Sequence, residues 1–134
     1  MVGGPEQFDR QSCSIEFTAP DLEPDAVTAL LKRQPDRSFR RGDLSASGHA
    51  RSQGAWFVSS SSAVYSDQVT DHVVWAGKFL SENRSEIVRV KQSCRANVRL
   101  RIFWEFDATI SFVLTREMLE QFLSLIDDIS FSIV

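Results

Sequence analysis

The chain is poor in the residues that carry most protein chemistry. It has two cysteines, Cys13 and Cys94, and two histidines, His49 and His72. The cysteines form no C-x-x-C pair, and no Cys/His cluster shows the close ligand spacing that zinc requires. His72 follows Asp71, but adjacent helical residues do not share a face. His72 therefore reads as a helix-surface residue, and neither a metal nor a cofactor is expected. Two reduced thiols fit a reducing compartment. Cys94 beside Arg95 has a little of the positive setting that activates a thiol, yet no histidine is near it in sequence, so it reads as a strand-start thiol.

Phosphate-binding glycine loops are missing as well: neither G-x-G-x-x-G nor G-x-x-x-x-G-K-[ST] occurs. Asp127 and Asp128 at a helix end, and Glu105 and Asp107 around a turn, read as solvated carboxylates rather than an acid–base pair. These gaps lead to the expectation that the chain is not an enzyme. No window approaches the roughly 18 apolar residues of a membrane span. Met1–Arg10 lacks an apolar run preceded by basic residues, so no signal peptide is expected and the expected location is cytoplasmic.

What the chain does have suits one globular domain. Its 134 residues, 43% apolar and 25% charged, are enough for a core without staples. Residues 1–11, with Gly3, Gly4 and Pro5, read as a flexible lead, and 12–134 as the single domain. Cys13, Ile15 and Phe17 alternate with Ser14, Glu16 and Thr18, the period of a half-buried strand. Pro24 to Arg33 reads as a short helix ended by Pro35. Residues 36–53 read as a long loop or irregular hairpin, a length uncommon in compact domains unless it carries a role. Gly54–Ser60 is a second strand. A helical stripe from Val69 to Leu80 follows a cap at Ser66, with an interruption near Asn83 and Ser85. Val98, Leu100, Ile102 and Trp104 alternate with Arg99, Arg101 and Phe103 in the clearest strand. Asp107 and Ala108 suggest a tight turn into a return strand carrying Ile110, Phe112 and Leu114. Thr115 caps a last helix, and Ile129, Phe131 and Ile133 form a last strand. From Ala55 the order is strand, helix, strand, strand, helix, strand. That order predicts an α+β fold with a ferredoxin-like antiparallel sheet and helices on one face, preceded by an N-terminal strand–helix addition.

Charge is unevenly distributed. Basic residues crowd two stretches, one from Lys32 to Arg51 and one from Arg84 to Arg101, while the C-terminal part is acidic. Opposite-sign surfaces are expected unless the fold interleaves them. Arg99, Arg101 and Phe103 share one strand face, a basic and aromatic arrangement also used by RNA readers, but the RNP-type consensus is missing. With a net charge of −3, nucleic acid is disfavoured as a partner.

Several segments together resemble the bacterial family DUF4279, a domain of unknown function. They are Pro24–Leu31 followed by Pro35, the Arg41-Gly42-Asp43 step, Gly54–Ser60, and Phe112–Leu119 leading into a terminal strand. The resemblance runs from about Cys13 to the end. It implies no activity. Where the family usually has a glycine after the Leu-Leu step, this chain has Lys32, and it closes on Ser132-Ile133-Val134 instead of an acidic-Ile-Tyr ending. Among the matched residues, Trp56 reads as a core aromatic and Gly42 as a turn former, while Arg41 and Asp43 are candidates for a ligand surface.

The functional expectation is a non-enzymatic binding domain, with another protein as partner. An immunity protein that neutralises a toxin is its concrete form. The alternative is a small-molecule or nucleotide-sensing domain whose site lies between the 36–53 loop and the sheet. Candidate binding residues are Arg40, Arg41, Asp43, Trp56, Arg99, Arg101 and Phe103. A homodimer through an open sheet edge or face is a further option.

Overall fold

A computed structural model describes residues 11–105 and 114–133. These form an α+β fold in which one five-stranded mixed sheet carries four helices. The strands are β1 (Gln11–Ala19), β2 (Arg37–Phe39), β3 (Gly54–Ser59), β4 (Asn97–Trp104) and β5 (Asp128–Ile133). The helices are α1 (Pro24–Leu31), α2 (Val69–Glu82), α3 (Arg84–Cys94) and α4 (Arg116–Leu125).

The spatial order is β2-β3-β1-β4-β5. β1 runs antiparallel to β3 on one side and to β4 on the other, and β5 runs parallel to β4. This corrects two expectations: the sheet is mixed rather than antiparallel, because β5, entered from a helix, runs parallel to β4, and the N-terminal strand has a different place. The first strand is not an addition at the margin but the middle of the sheet. Both of its edges are hydrogen-bonded, so even its polar residues Ser14 and Glu16 are buried, at 8% and 7% exposure. The tight turn and most of the return strand on which the ferredoxin-like order depends lie at 106–113, outside the described residues.

Alternation sorts the sheet into two faces. Cys13, Ile15 and Phe17 on β1, Trp56 and Val58 on β3, and Val98, Leu100 and Ile102 on β4 all have no solvent exposure. α2 lies against β1 on this face and packs beside α4, while α1 packs against α3. Trp56 meets Phe17 edge-on with ring centroids 5.5 Å apart, and its indole N–H donates to Thr28 Oγ1 of α1 at 3.0 Å. That bond satisfies the polar tip of a buried aromatic.

The helix ends follow from local chemistry. Pro24 occupies the start of α1, where its missing N–H costs nothing. α1 ends on Lys32 in the left-handed conformation, φ 55°, which a glycine would adopt without the Cβ clash. α2 and α3 are separated at Asn83, whose side-chain amide donates back to the Phe79 carbonyl. Thr115 caps α4, its Oγ1 accepting from the Met118 N–H at 3.2 Å.

His72 departs from its expected place on a helix surface. It is fully buried, because it stands one turn beyond Val69 on the same face as Val73, Ala76 and Leu80. Its Nε2–H donates to the Ser66 carbonyl oxygen at 2.7 Å, so Nδ1 accepts from the Ser60 hydroxyl at 2.6 Å. Ser60 Oγ in turn accepts from the Cys13 N–H at 2.8 Å. This chain of bonds ties β1, the turn after β3, and α2 together.

Candidate functional site

The second face of the sheet is different in kind. No described helix covers it. The side chains opposite the core alternate out onto it: Ser14, Glu16 and Thr18 from β1, Phe57 and Ser59 from β3, and Arg99, Arg101 and Phe103 from β4. β2 adds Arg37 and Phe39, and the segment leading into β3 adds Arg51 and Gln53. Together they line a half-open concavity of about 510 Å³, within the usual range of small-molecule sites.

The hairpin between β2 and β3 is what raises one wall. The expected irregular hairpin is present, closed by the Leu44–Ala50 bridge and by paired backbone bonds between Gly42 and Arg51 and between Asp43 and Arg51. Gly42 stands at φ 91°, a conformation that side-chain-bearing residues rarely adopt. The hairpin returns Arg51 so that its guanidinium sits 4.1 Å from the Phe39 ring centroid. Phe39 and Phe57 pack with centroids 5.7 Å apart, and Arg37 lies 5.8 and 5.9 Å from their centroids. Across the concavity Arg101 lies 5.8 Å from the Phe103 ring. Each contact lets a cation rest on the negative face of an aromatic ring.

Strand register aligns the polar groups into rows. Arg37 faces Phe57, Phe57 faces Glu16, Glu16 faces Arg99 and Arg99 faces Asp128. In the next row Ser59, Ser14, Arg101 and Ser130 stand side by side. Glu16 Oε2 accepts from the Ser14 hydroxyl at 3.0 Å and lies 3.3 Å from Arg101 Nε. The second contact is a charge contact only, since Arg101 Nε has no hydrogen-bond partner. The Nε atoms of Arg51 and Arg99 are buried and unpartnered too. Arg99 touches Asp128 Oδ2 through one terminal nitrogen, at 3.5 Å. The Asn97 amide, and then the charge of Arg99, hold the Asp128 carboxyl below the usual carboxylate range.

Four arginines and two carboxylates, Glu16 and Asp36, line the concavity, an excess of two positive charges. Buried guanidinium N–H groups without acceptors are costly to leave unmet. The excess of positive charge, with aromatic rings between the arginines, suits a planar or oxyanionic guest.

The structure brings Arg99, Arg101 and Phe103 together on this face. It places the other four sequence candidates elsewhere. Trp56 is on the helix-covered face, inside the core. Arg40 bonds Glu23 and Asp25, each at 3.0 Å, and Arg41 bonds Asp21 at 3.0 Å. Asp43 Oδ2 accepts from the Arg40 N–H at 2.7 Å and so shapes the turn. Sequence reasoning missed Glu16, Arg37, Phe39, Arg51 and Phe57. Glu16 carried a signal, as the central polar residue of an alternating strand, but Arg37 and Arg51 required knowledge of the hairpin.

The expected opposite-sign surfaces are interleaved instead. Asp127 bonds Lys91 at 3.0 Å and accepts from the Val98 N–H, and Asp128 bonds Asn97. The Ser60–His72 pair has the residue types of a nucleophile and its base, but both are fully buried, and a nucleophile must reach its substrate. Both cysteines are free thiols. Burial pushes the Cys13 thiol up to about 12 and raises that of Cys94. Among the described residues no helix is long and apolar enough to cross a membrane.

No curated protein and no solved structure matches the chain. The family described as Domain of unknown function (DUF4279) matches residues 7–134, nearly the whole length, and the chain belongs to that family.

Proposed function

We infer that this is a non-enzymatic binding domain that takes a small anionic molecule on the open face of its sheet. The observation that carries the reading is the convergence of Arg37, Arg51, Arg99 and Arg101 with three phenylalanines around one concavity. Arg40 and Arg41 lie outside it, bonded to Glu23, Asp25 and Asp21, while Arg99 and Arg101 have looser carboxylate contacts at 3.5 and 3.3 Å. This reading takes up the sequence alternative of a site between the 36–53 loop and the sheet, and residues of both line the concavity. A ferredoxin-like sheet order would leave such a face available, as the described sheet does. Two free thiols suit a cytoplasmic setting.

Thermal-shift titration with anionic metabolites tests this reading. Ligands that bind only the folded state raise the melting temperature by mass action. The double variant R99A/R101A should lose the rise while R40A/R41A keeps it. No rise with any anion at millimolar concentration, or equal loss in both variants, would contradict the reading.

A protein partner, such as a toxin held by an immunity protein, is the second reading. It draws on β5, the outermost strand on its side among the described residues, where Phe131 and Ile133 are 53% and 61% exposed. Edge strands with apolar side chains are ready templates for another chain, including a second copy of this one. Phe131→Lys should then abolish the complex and leave the anion response intact.

A further inference from the structure

The anion-binding face has an internal order that narrows its guest. One row across the sheet reads Phe57, Glu16, Arg99. The two ends of that row are two strand spacings apart, ~10 Å. One end is aromatic: Phe57 packs on Phe39, and Arg51 sits on the outer ring. The other end carries Arg99 and Arg101 on alternate positions of β4, with one carboxylate, Asp128, 3.5 Å from Arg99. Between them lies one buried carboxylate, Glu16, at 7% exposure.

These three features demand different things of a ligand. Phe57 and Phe39 offer a stacking surface to a flat ring. Arg99 and Arg101 offer forked donors to an oxyanion. Glu16 repels an anion and accepts hydrogen bonds from N–H or O–H groups. A bare polyanion meets Glu16 wherever it lies along the row, and a neutral aromatic leaves the arginines unmet. A molecule with a flat ring at one end, hydrogen-bond donors near it and a single oxyanion at the other satisfies all three.

Resting on the anion-binding reading, we propose that the guest is a nucleoside monophosphate. Its base stacks on Phe57 and Phe39, its phosphate is held by Arg99 and Arg101, and Glu16 is the specificity-determining residue that reads donor groups on the base or ribose. A nucleic-acid strand fits less well. Its repeating phosphates must cross the Glu16 row, and the concavity has the volume of a small-molecule site.

The test is calorimetric titration of the full chain with AMP, GMP, CMP and UMP, with ribose 5-phosphate, and with a short single-stranded oligoribonucleotide. The best mononucleotide should bind about tenfold or more tightly than ribose 5-phosphate, the difference expected from one stacked base. Phe57→Leu should weaken mononucleotide binding more than ribose 5-phosphate binding and so remove most of that difference. Glu16→Gln should alter the ranking of the four bases by about fivefold or more. Ribose 5-phosphate binding as tightly as every mononucleotide would overturn the proposal while leaving the anion reading in place. An oligoribonucleotide that binds about tenfold more tightly than any mononucleotide would overturn it in favour of a strand. No binding by any probe would sink both readings. The unmodified chain alone decides between these outcomes, so the proposal stays falsifiable even if a variant fails to fold.

Discussion

The two faces of β1 are built by neighbouring residues and do opposite work. Cys13, Ile15 and Phe17 lie without solvent exposure beneath the helices, whereas Ser14 and Glu16 form the floor of an open concavity. On the covered face the Trp56 indole meets Thr28 and His72 is bonded at both nitrogens, and among the described residues Gln11 Oε1 is the one buried side-chain atom of β1 there without a partner. On the open face, guanidinium groups are left with unmet donors. The covered face is almost wholly apolar, whereas the open face gathers four arginines against two carboxylates. Substitutions on the first should therefore change stability, and substitutions on the second should change binding.

The largest contrast is chemical. With its thiol pushed up to about 12, Cys13 should be alkylated at pH 8 about a thousandfold more slowly than a free thiol, before protection by burial is added. Cys94, half-buried at the end of α3, should react first. Mass spectrometry of partly alkylated native protein checks this, and early labelling of Cys13 would show the covered face to be open. The same shift has a stability consequence. The folded state holds the Cys13 proton more tightly than the unfolded chain, so its contribution is complete below about pH 9 and is lost as pH rises towards about 12. In denaturant melts, the stability difference between the chain and Cys13→Ala should be constant below about pH 9 and fall as pH rises towards about 12.

Next in size is Trp56→Ala, which should cost about 3–5 kcal/mol through the cavity it leaves. Chemical denaturation measures it. The fraction that remains folded should still respond to anions, because Trp56 faces away from the concavity. A loss of response in folded protein would bring Trp56 back to the site.

R99A/R101A is the reverse case. It should lower anion affinity about tenfold or more. Its effect on stability should stay within ~1 kcal/mol, since the contacts of these arginines with Asp128 and Glu16 are partly exposed or poorly aligned. Paired melting and titration curves separate the two quantities.

Much of the scaffold was legible because its signals are local. The alternation of β1 and β4, the break between α2 and α3 at Asn83, and the Thr115 cap depend on neighbours within a few residues. So did the shared face of Arg99, Arg101 and Phe103. Other features depend on partners far along the chain. β1 looks half-buried in sequence, and only pairing with both β3 and β4 makes it central. Trp56 reads as a core aromatic in sequence and is one, but the packing of its neighbour Phe57 on Phe39 depends on the pairing of β2 with β3. His72 hid in an apolar stripe because its two nitrogens are satisfied by Ser60 and Ser66, which sequence spacing does not reveal. β2 has three residues, too few for a periodic signal, yet it carries Arg37 and Phe39 to the site.

The smallest effect concerns the helix end. Lys32 holds a left-handed conformation that glycine adopts freely, so Lys32→Gly should stabilise the fold by about 0.5–1 kcal/mol. A thermal melt resolves it. The change lies away from both faces of β1 and should leave anion binding as it was, which sharpens the separation between fold and site.

The most direct measurement is a titration of the labelled protein with a nucleoside monophosphate, followed by NMR of the arginine side chains and aromatic rings. The guanidinium signals of Arg99 and Arg101 and the ring signals of Phe57 should move together and saturate, while those of Arg40 and Arg41 stay fixed. Movement confined to Arg40 and Arg41, or no movement at millimolar ligand, would contradict the account.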